Sequence, residues 1–168
     1  MAIEIERKFL LASDTWRHLV KRQQRMTQGY LNDAQAVKTG RENCSVRIRI
    51  AGAVAHLNIK SREPGARRQE FEYPIPVADA EELMKLACSG IIEKVRHYLE
   101  FESHVWEIDE FQGDNLGLVV AEIELTAVDE AFLKPEWLGA EVTSLPRYYN
   151  LALSSNPFRS WSDEEKSC

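Results

Sequence analysis

Cysteine is scarce in this chain, and its pattern excludes two common scaffolds. Cys44, Cys88 and Cys168 are the only 3 in 168 residues, and no two form a Cys-x-x-Cys pair. An odd, scattered set argues against a disulfide framework and a cysteine-built zinc site, and points to a reducing compartment, the cytoplasm. Long hydrophobic runs are also missing. No stretch approaches the roughly 20 apolar residues of a membrane helix. No charged-then-apolar leader precedes the first strand, so no secretory signal is expected. Excess positive charge is absent: 27 acidic residues against 21 basic ones leave a net charge of −6, which argues against general affinity for nucleic acid. The 4 histidines share no ligand spacing, and none reads as the base of a serine or cysteine nucleophile.

What is present is charge in a regular pattern. Glu4, Glu6 and Lys8 alternate with Ile3, Ile5 and Phe9. Side chains on a strand point alternately to its two faces, so the three charges share one face. The same spacing places Arg47 with Arg49, Lys60 with Arg62, Lys94 with Arg96 and Tyr98, Glu107 with Asp109, and Glu122 with Glu124. Arg68, Glu70 and Glu72 share another face, opposite Phe71 and Tyr73. Any single strand of this kind ordinarily turns its charges to water. Seven strands that keep acids and bases on one face, sorted largely by sign, call for another account.

If the sheet closes on itself, these charges share an interior. Unpaired there, each costs several kcal/mol in lost hydration. Carboxylates in such a lumen suit a hard divalent cation, Mg²⁺ or Mn²⁺, with two ions per site expected. Arginine and lysine suit phosphate. The residues themselves therefore imply a linear polyphosphate or a nucleoside triphosphate bound with metal.

The ordered series resembles a known family. Glu4-Ile5-Glu6-Arg7-Lys8-Phe9-Leu10, Arg47-Ile48-Arg49, Leu57-Asn58-Ile59-Lys60, Arg68-Gln69-Glu70-Phe71-Glu72 and Lys94-Val95-Arg96 follow the CYTH superfamily, the triphosphate tunnel metalloenzymes. Trp106-Glu107-Ile108-Asp109, Ala121 to Leu125, Trp137 to Thr143 and Arg147 to Asn150 continue the resemblance to the ending of short bacterial members. It covers residues 1 to about 157. Ser144, Leu145 and Pro146 depart from it, where members often carry an acidic residue.

The expected fold is α+β and mainly β: an eight-stranded antiparallel closed β-barrel tunnel with flanking helices, one domain over 1–157 and a frayed tail over 158–168. The expected helices run from an N-cap at Ser13 to about Arg25, from Val77 to Cys88, from Asp129 to Leu133 and from Arg147 to Ser155. Gln28 to Leu31 reads as a second strand, Asn32 to Asn43 as a polar connection, and Glu63 to Arg67 as a hairpin loop.

The metal ligands expected are Glu4, Glu6, Glu122 and Glu124, then Asp109, Glu70 and Glu72. Phosphate contacts fall to Lys8, Arg47, Arg49, Lys60, Arg62, Arg68, Lys94 and Arg96, with Arg147 a weaker candidate. The resemblance implies catalytic roles for Lys8 and, beside it, Tyr30. It implies hydrolysis of tripolyphosphate to phosphate and pyrophosphate. A class IV-type adenylyl cyclase, a thiamine triphosphatase and a non-catalytic polyphosphate-binding module are the alternatives. A homodimer is expected from relatives alone.

Overall fold

The computed structural model describes residues 2–62 and 67–166, without the side chains of residues 2, 3 and 67. Residues 63–66 of the loop expected over Glu63–Arg67, and Cys168, lie outside them, and Arg67 begins a strand. Among the described residues nine strands run in chain order: β1 (Ala2–Leu11), β2 (Val20–Tyr30), β3 (Cys44–Ala51), β4 (Val54–Ser61), β5 (Arg67–Ile75), β6 (Ile92–Phe101), β7 (His104–Phe111), β8 (Val119–Glu124) and β9 (Leu138–Glu141). Four helices accompany them: α1 (Ala34–Thr39), α2 (Val77–Met84), α3 (Asn150–Ser155) and α4 (Asp163–Lys166).

Eight strands close an antiparallel barrel in the order β1-β5-β4-β3-β2-β6-β7-β8, back to β1. The first strand is the closing one: its first half pairs with β5, placing Glu4 opposite Arg68, and its second half with β8, placing Lys8 opposite Glu122. The ring is closed through β1, which joins β5 to β8. The short β9 adds to β1 with Leu11 opposite Leu138.

With charges inside, the apolar faces look outward and need cover. Three clusters supply it. Phe9, Trp106, Ile108 and Ile123 pack with Trp16 and Trp137 on one side. Ile92, Phe111 and Val120 pack with Tyr148, Leu153 and Trp161 on another. Ile48 and Ala55 pack under α2 through Ala80, Leu83 and Met84. Each fully buried side chain of this size contributes about 1.5–3 kcal/mol. Gly29 is fixed by such an approach, since a Cβ there would stand 2.8 Å from the Met84 sulfur and 3.1 Å from the Ala87 Cβ.

Five expectations are corrected. The helix expected from Ser13 to Arg25 is a 3₁₀ turn over Thr15–Leu19, followed by β2 from Val20. Trp16 is buried as expected, but Leu19 is exposed, so no helical apolar stripe forms. Lys21 to Arg25 lack alternation, and β6 recruits them by pairing along its whole length. The polar connection after β2 contains α1, capped by the Asp33 carboxylate, which accepts from the Gln35 amide at 2.8 Å. The helix expected over Asp129–Leu133 is irregular chain whose Phe132 packs edge-on against Trp106 and Phe9. The helix expected from Val77 to Cys88 ends at Met84. The segment expected to fray is packed as far as Lys166: Trp161 is buried against Tyr148 and Phe158, and α4 follows. The last expected helix is present as a 3₁₀ turn over Pro146–Tyr148 continued by α3.

Candidate active site

The barrel encloses a cavity of about 1080 Å³. Strand alternation delivers its charges, as the spacing predicts. Glu4, Glu6 and Lys8 come from β1, Arg47 and Arg49 from β3, Lys60 from β4, Arg68, Glu70 and Glu72 from β5, Arg96 from β6, and Glu122 and Glu124 from β8. Tyr30 and Arg62 also line it. Lys94 and Asp109 do not: both are fully buried behind the lining and bonded to each other. Glu107, from the same face of β7, lines the cavity instead.

Two pairs of like charge stand directly opposite each other in register. Glu6 faces Glu124 across β1 and β8, and Glu107 faces Glu122 across β7 and β8. Such pairs destabilise a sheet unless a cation joins them. For Glu122 two protein cations do so. Lys8 bonds to it and to Glu6, the latter at 2.6 Å, and Arg96 reaches it at 2.6 Å. Burial alone would push the Glu122 carboxyl up, but Lys8 and Arg96 hold it well below the usual range. Burial pulls the Lys8 ammonium down, yet Glu122 and Glu6 outweigh it, and its pKa is raised. Lys8 therefore stays protonated through the working range.

Among the described residues Glu124 has no such partner. Burial and then the carboxylates of Glu4, Glu6 and Glu70 push its pKa up, with only Lys60 opposing among the main causes. Lys60 itself lies 2.7 Å from Glu4 and 3.6 Å from Glu70. Burial likewise raises Glu107, and Arg96 opposes it.

Across the cavity the imbalance reverses. Arg68 has no carboxylate within ion-pair distance among the described residues; its guanidinium lies 4.3 Å from the Tyr149 ring centroid. Among the described residues the one carboxylate that Arg47 reaches is Glu70, at 3.7 Å; it also bonds to the Tyr30 phenol, and its buried Nε has no hydrogen-bond partner. The Tyr30 phenol is raised by burial against the pull of Arg47, Lys8 and Arg68, so it remains a donor. Arg49 pairs with Glu72 at 2.7 Å, and Asn58 donates to Glu70 and Glu72 at 2.9 and 2.5 Å. Arg62 donates to the Lys38 carbonyl at 3.0 Å near the rim.

The chain after β9 forms one wall. Thr143, Arg147, Tyr149 and Asn150 line the cavity there. Of these only Arg147 is marked by the sequence, because the others lie outside any alternating run. Glu107 carried a usable signal: it shares the period of Asp109, but alternation does not report depth along a tilted strand.

Lys94 and Asp109 invite a test of their own. Burial and Arg96 push the Lys94 ammonium down to about 8 against the pull of Asp109 and Glu122. Arg96 and Lys94 hold the Asp109 carboxyl down in spite of burial. Removing Asp109 leaves two buried cations facing each other, whereas removing Lys94 leaves Asp109 still held by Arg96 at 2.6 and 2.7 Å. Asp109→Asn is expected to cost about 3–5 kcal/mol in urea unfolding and Lys94→Met less than half of that. Equal losses would contradict this ordering.

Comparison with known proteins follows the same lines. Residues 2–154 match the CYTH domain family. A protein from Acetivibrio thermocellus named inorganic triphosphatase is 40% identical over 164 residues, spanning 97% of this chain and 100% of that protein. One of the same name from Nitrosomonas europaea is 35% identical over 156 residues, spanning 90% of this chain and 96% of that protein. A crystal structure of an inorganic triphosphatase superimposes with a TM-score of 0.63 at 31% identity, covering 92% of this chain and 95% of that one. A Hippeastrum protein described as an adenylyl cyclase with a dominant triphosphatase activity shares the fold, with a TM-score of 0.59 at 19% identity over 74% of this chain and 80% of that one.

Proposed function

Because the chain belongs to the CYTH domain family, we propose that it is an inorganic triphosphatase that hydrolyses tripolyphosphate to phosphate and pyrophosphate. One observation carries the reading. A single cavity holds carboxylates without enough cations, around Glu124, and guanidiniums without enough anions, at Arg47 and Arg68. A polyanion with a divalent cation satisfies both ends together.

The donor set fits a hard cation. Glu4, Glu6, Glu122 and Glu124 are carboxylates on adjoining strands, and Glu6 and Glu124 face each other. Among the described residues no three acidic, histidine or cysteine side chains are already gathered as a ligand group. Lys60 and Lys8 occupy the oxygens of Glu4 and Glu6. Those lysines would turn to phosphate oxygens when a cation takes their place. Glu70 and Glu72, which Asn58 and the lumen cations hold, are the less favoured ligands. Asp109 serves by orienting Arg96. A Mg²⁺ or Mn²⁺ ion, when bound, supplies charge neutralisation and a more acidic water.

The chain's own residues do the rest. Arg47, Arg68 and Arg96 bind and orient phosphate oxygens, with Arg49 and Arg62 toward the rims. The barrel wall limits access of bulk water, which strengthens each of these contacts. Lys8, turned from Glu6 toward the substrate and still beside Glu122, donates to the phosphoryl group undergoing transfer and stabilises charge developing there. Tyr30, as a neutral phenol close to Arg47 and Lys8, orients the attacking water by hydrogen bonding.

Phosphorus NMR of the protein with tripolyphosphate, and separately with ATP, tests the proposal. Metal-dependent conversion of tripolyphosphate to phosphate plus pyrophosphate, with ATP slow, is the expected result. Cyclic AMP and pyrophosphate from ATP would move the reading to the cyclase. No turnover of tripolyphosphate would overturn it.

A further inference from the structure

We propose that Tyr149 is a positioning residue, whose ring holds Arg68 in the lumen ready for phosphate and ties the chain after β9 to the substrate cage. The inference rests on the triphosphatase reading of the same cavity. Tyr149 sits between the 3₁₀ turn Pro146–Tyr148 and α3, outside the barrel strands. Its ring lies under two lumen cations at once: the Arg68 guanidinium carbon is 4.3 Å from the centroid and the Lys8 ammonium 5.1 Å. Both distances fall within cation–π range.

The two cations differ in what else holds them. Lys8 has Glu6 and Glu122. Arg68 has no ion pair among the described residues, although Glu4 stands opposite it in register, because Glu4 is taken by Lys60. A ring is the right device for such a group. A carboxylate would neutralise Arg68 and compete with phosphate for its donors. An aromatic face leaves the guanidinium edge and all its N–H groups free to bind an anion while fixing the plane of the fork.

The ring is itself anchored. The Tyr149 hydroxyl donates to the Thr143 carbonyl at 2.7 Å. The Thr143 hydroxyl accepts from the Lys8 amide at 2.9 Å and donates to Glu141 at 2.8 Å. Glu141 in turn receives the Arg7 guanidinium through both oxygens. Tyr149 is thereby registered to the strand that carries Glu4, Glu6 and Lys8.

Two substitutions in the full chain separate the ring from its anchor. Tyr149→Leu removes both, and Tyr149→Phe keeps the ring and loses only the bond to Thr143. The Leu variant is expected to raise KM for tripolyphosphate about tenfold, with a much smaller change in kcat and a thermal midpoint lowered by only a few degrees, as loss of the cation–π contact and one hydrogen bond implies. The Phe variant should recover KM to within about threefold of the parent. A second readout needs no turnover: the Arg68 Nε–H signal, assigned by its loss in Arg68→Lys, should show an upfield ring-current shift in the parent and in Phe, and lose it in Leu. Parent-like KM in Leu, a Phe variant as impaired as Leu, or no ring-current shift in the parent would each overturn the proposal. A parent inactive on tripolyphosphate would sink the triphosphatase reading, and Tyr149 would then stand or fall on the NMR shift.

Discussion

Lys8→Ala is expected to lower tripolyphosphate turnover at least about a thousandfold, the upper range for losing one preorganised charge-stabilising donor. It is also expected to cost stability, by less than the ~3–5 kcal/mol of breaking a buried pair outright, because Glu122 loses one of its two cations and keeps Arg96. The two losses have different origins. Lys8 bonds to both Glu6 and Glu122, which come from different strands, so its charge is the mortar between β1 and β8 as well as a donor to substrate. Adding Glu122→Gln separates the roles. In the double variant the carboxylate left with Arg96 alone is gone, and Arg96 keeps Asp109 as a partner. Neighbouring charges of this kind do not contribute additively. Urea unfolding should therefore show partial recovery of stability, while turnover stays at the level of Lys8→Ala. If turnover returned with stability, Lys8 would be only a neutraliser. If Lys8→Ala kept full turnover, the catalytic assignment would fail outright.

The lumen was legible in the sequence because a strand has a period of two and charge is easy to see. Glu4, Glu6, Lys8, Arg47, Arg49, Lys60, Glu70, Arg96 and Glu122 all follow from parity, and all line the cavity. Parity says nothing of depth. Glu107 and Asp109 share a face of β7, and barrel tilt decides that the first borders the cavity while the second lies behind it with Lys94. The start of β2 was illegible for a different reason. Lys21 to Arg25 are polar on both faces, so nothing local distinguishes a strand from a solvated helix. Pairing with β6 makes the choice, through partners some 70 residues away in sequence. The wall built from Thr143 to Asn150 has neither period, and Tyr149 could be found only once the fold had brought it to Arg68.

Glu124→Gln tests the other end of the cavity, and its two effects carry opposite signs. Without a bound cation the substitution removes a carboxylate that stands opposite Glu6 and near Glu4 and Glu70. Stability should rise, on the order of 0.5 kcal/mol because solvent screens so exposed a group, or about 1–2 °C in thermal midpoint for a chain of this size. Turnover in Mg²⁺ or Mn²⁺ should instead fall about a hundredfold or more, since a carboxamide is a poorer ligand for a hard cation. The thermal shift produced by adding Mn²⁺ should shrink as well, because ligand stabilisation follows affinity for the folded state. The pH dependence follows from linkage. Burial and its acidic neighbours raise the folded-state pKa of Glu124, so in the window just above the ordinary carboxylate range the folded protein keeps a proton that the unfolded chain has released. Its contribution to stability therefore declines as pH rises through that window, and Glu124→Gln should remove the decline. Glu122 behaves in the opposite sense: its pKa is depressed, so its contribution is present above the ordinary carboxylate range and lost as pH falls through the depressed value. Thermal unfolding of the parent and Glu124→Gln across acid to neutral pH, with and without Mn²⁺, reads all three effects. A variant that loses stability without metal would show Glu124 to be paired with a protein cation. One that keeps both its Mn²⁺ shift and its turnover would remove Glu124 from the metal site.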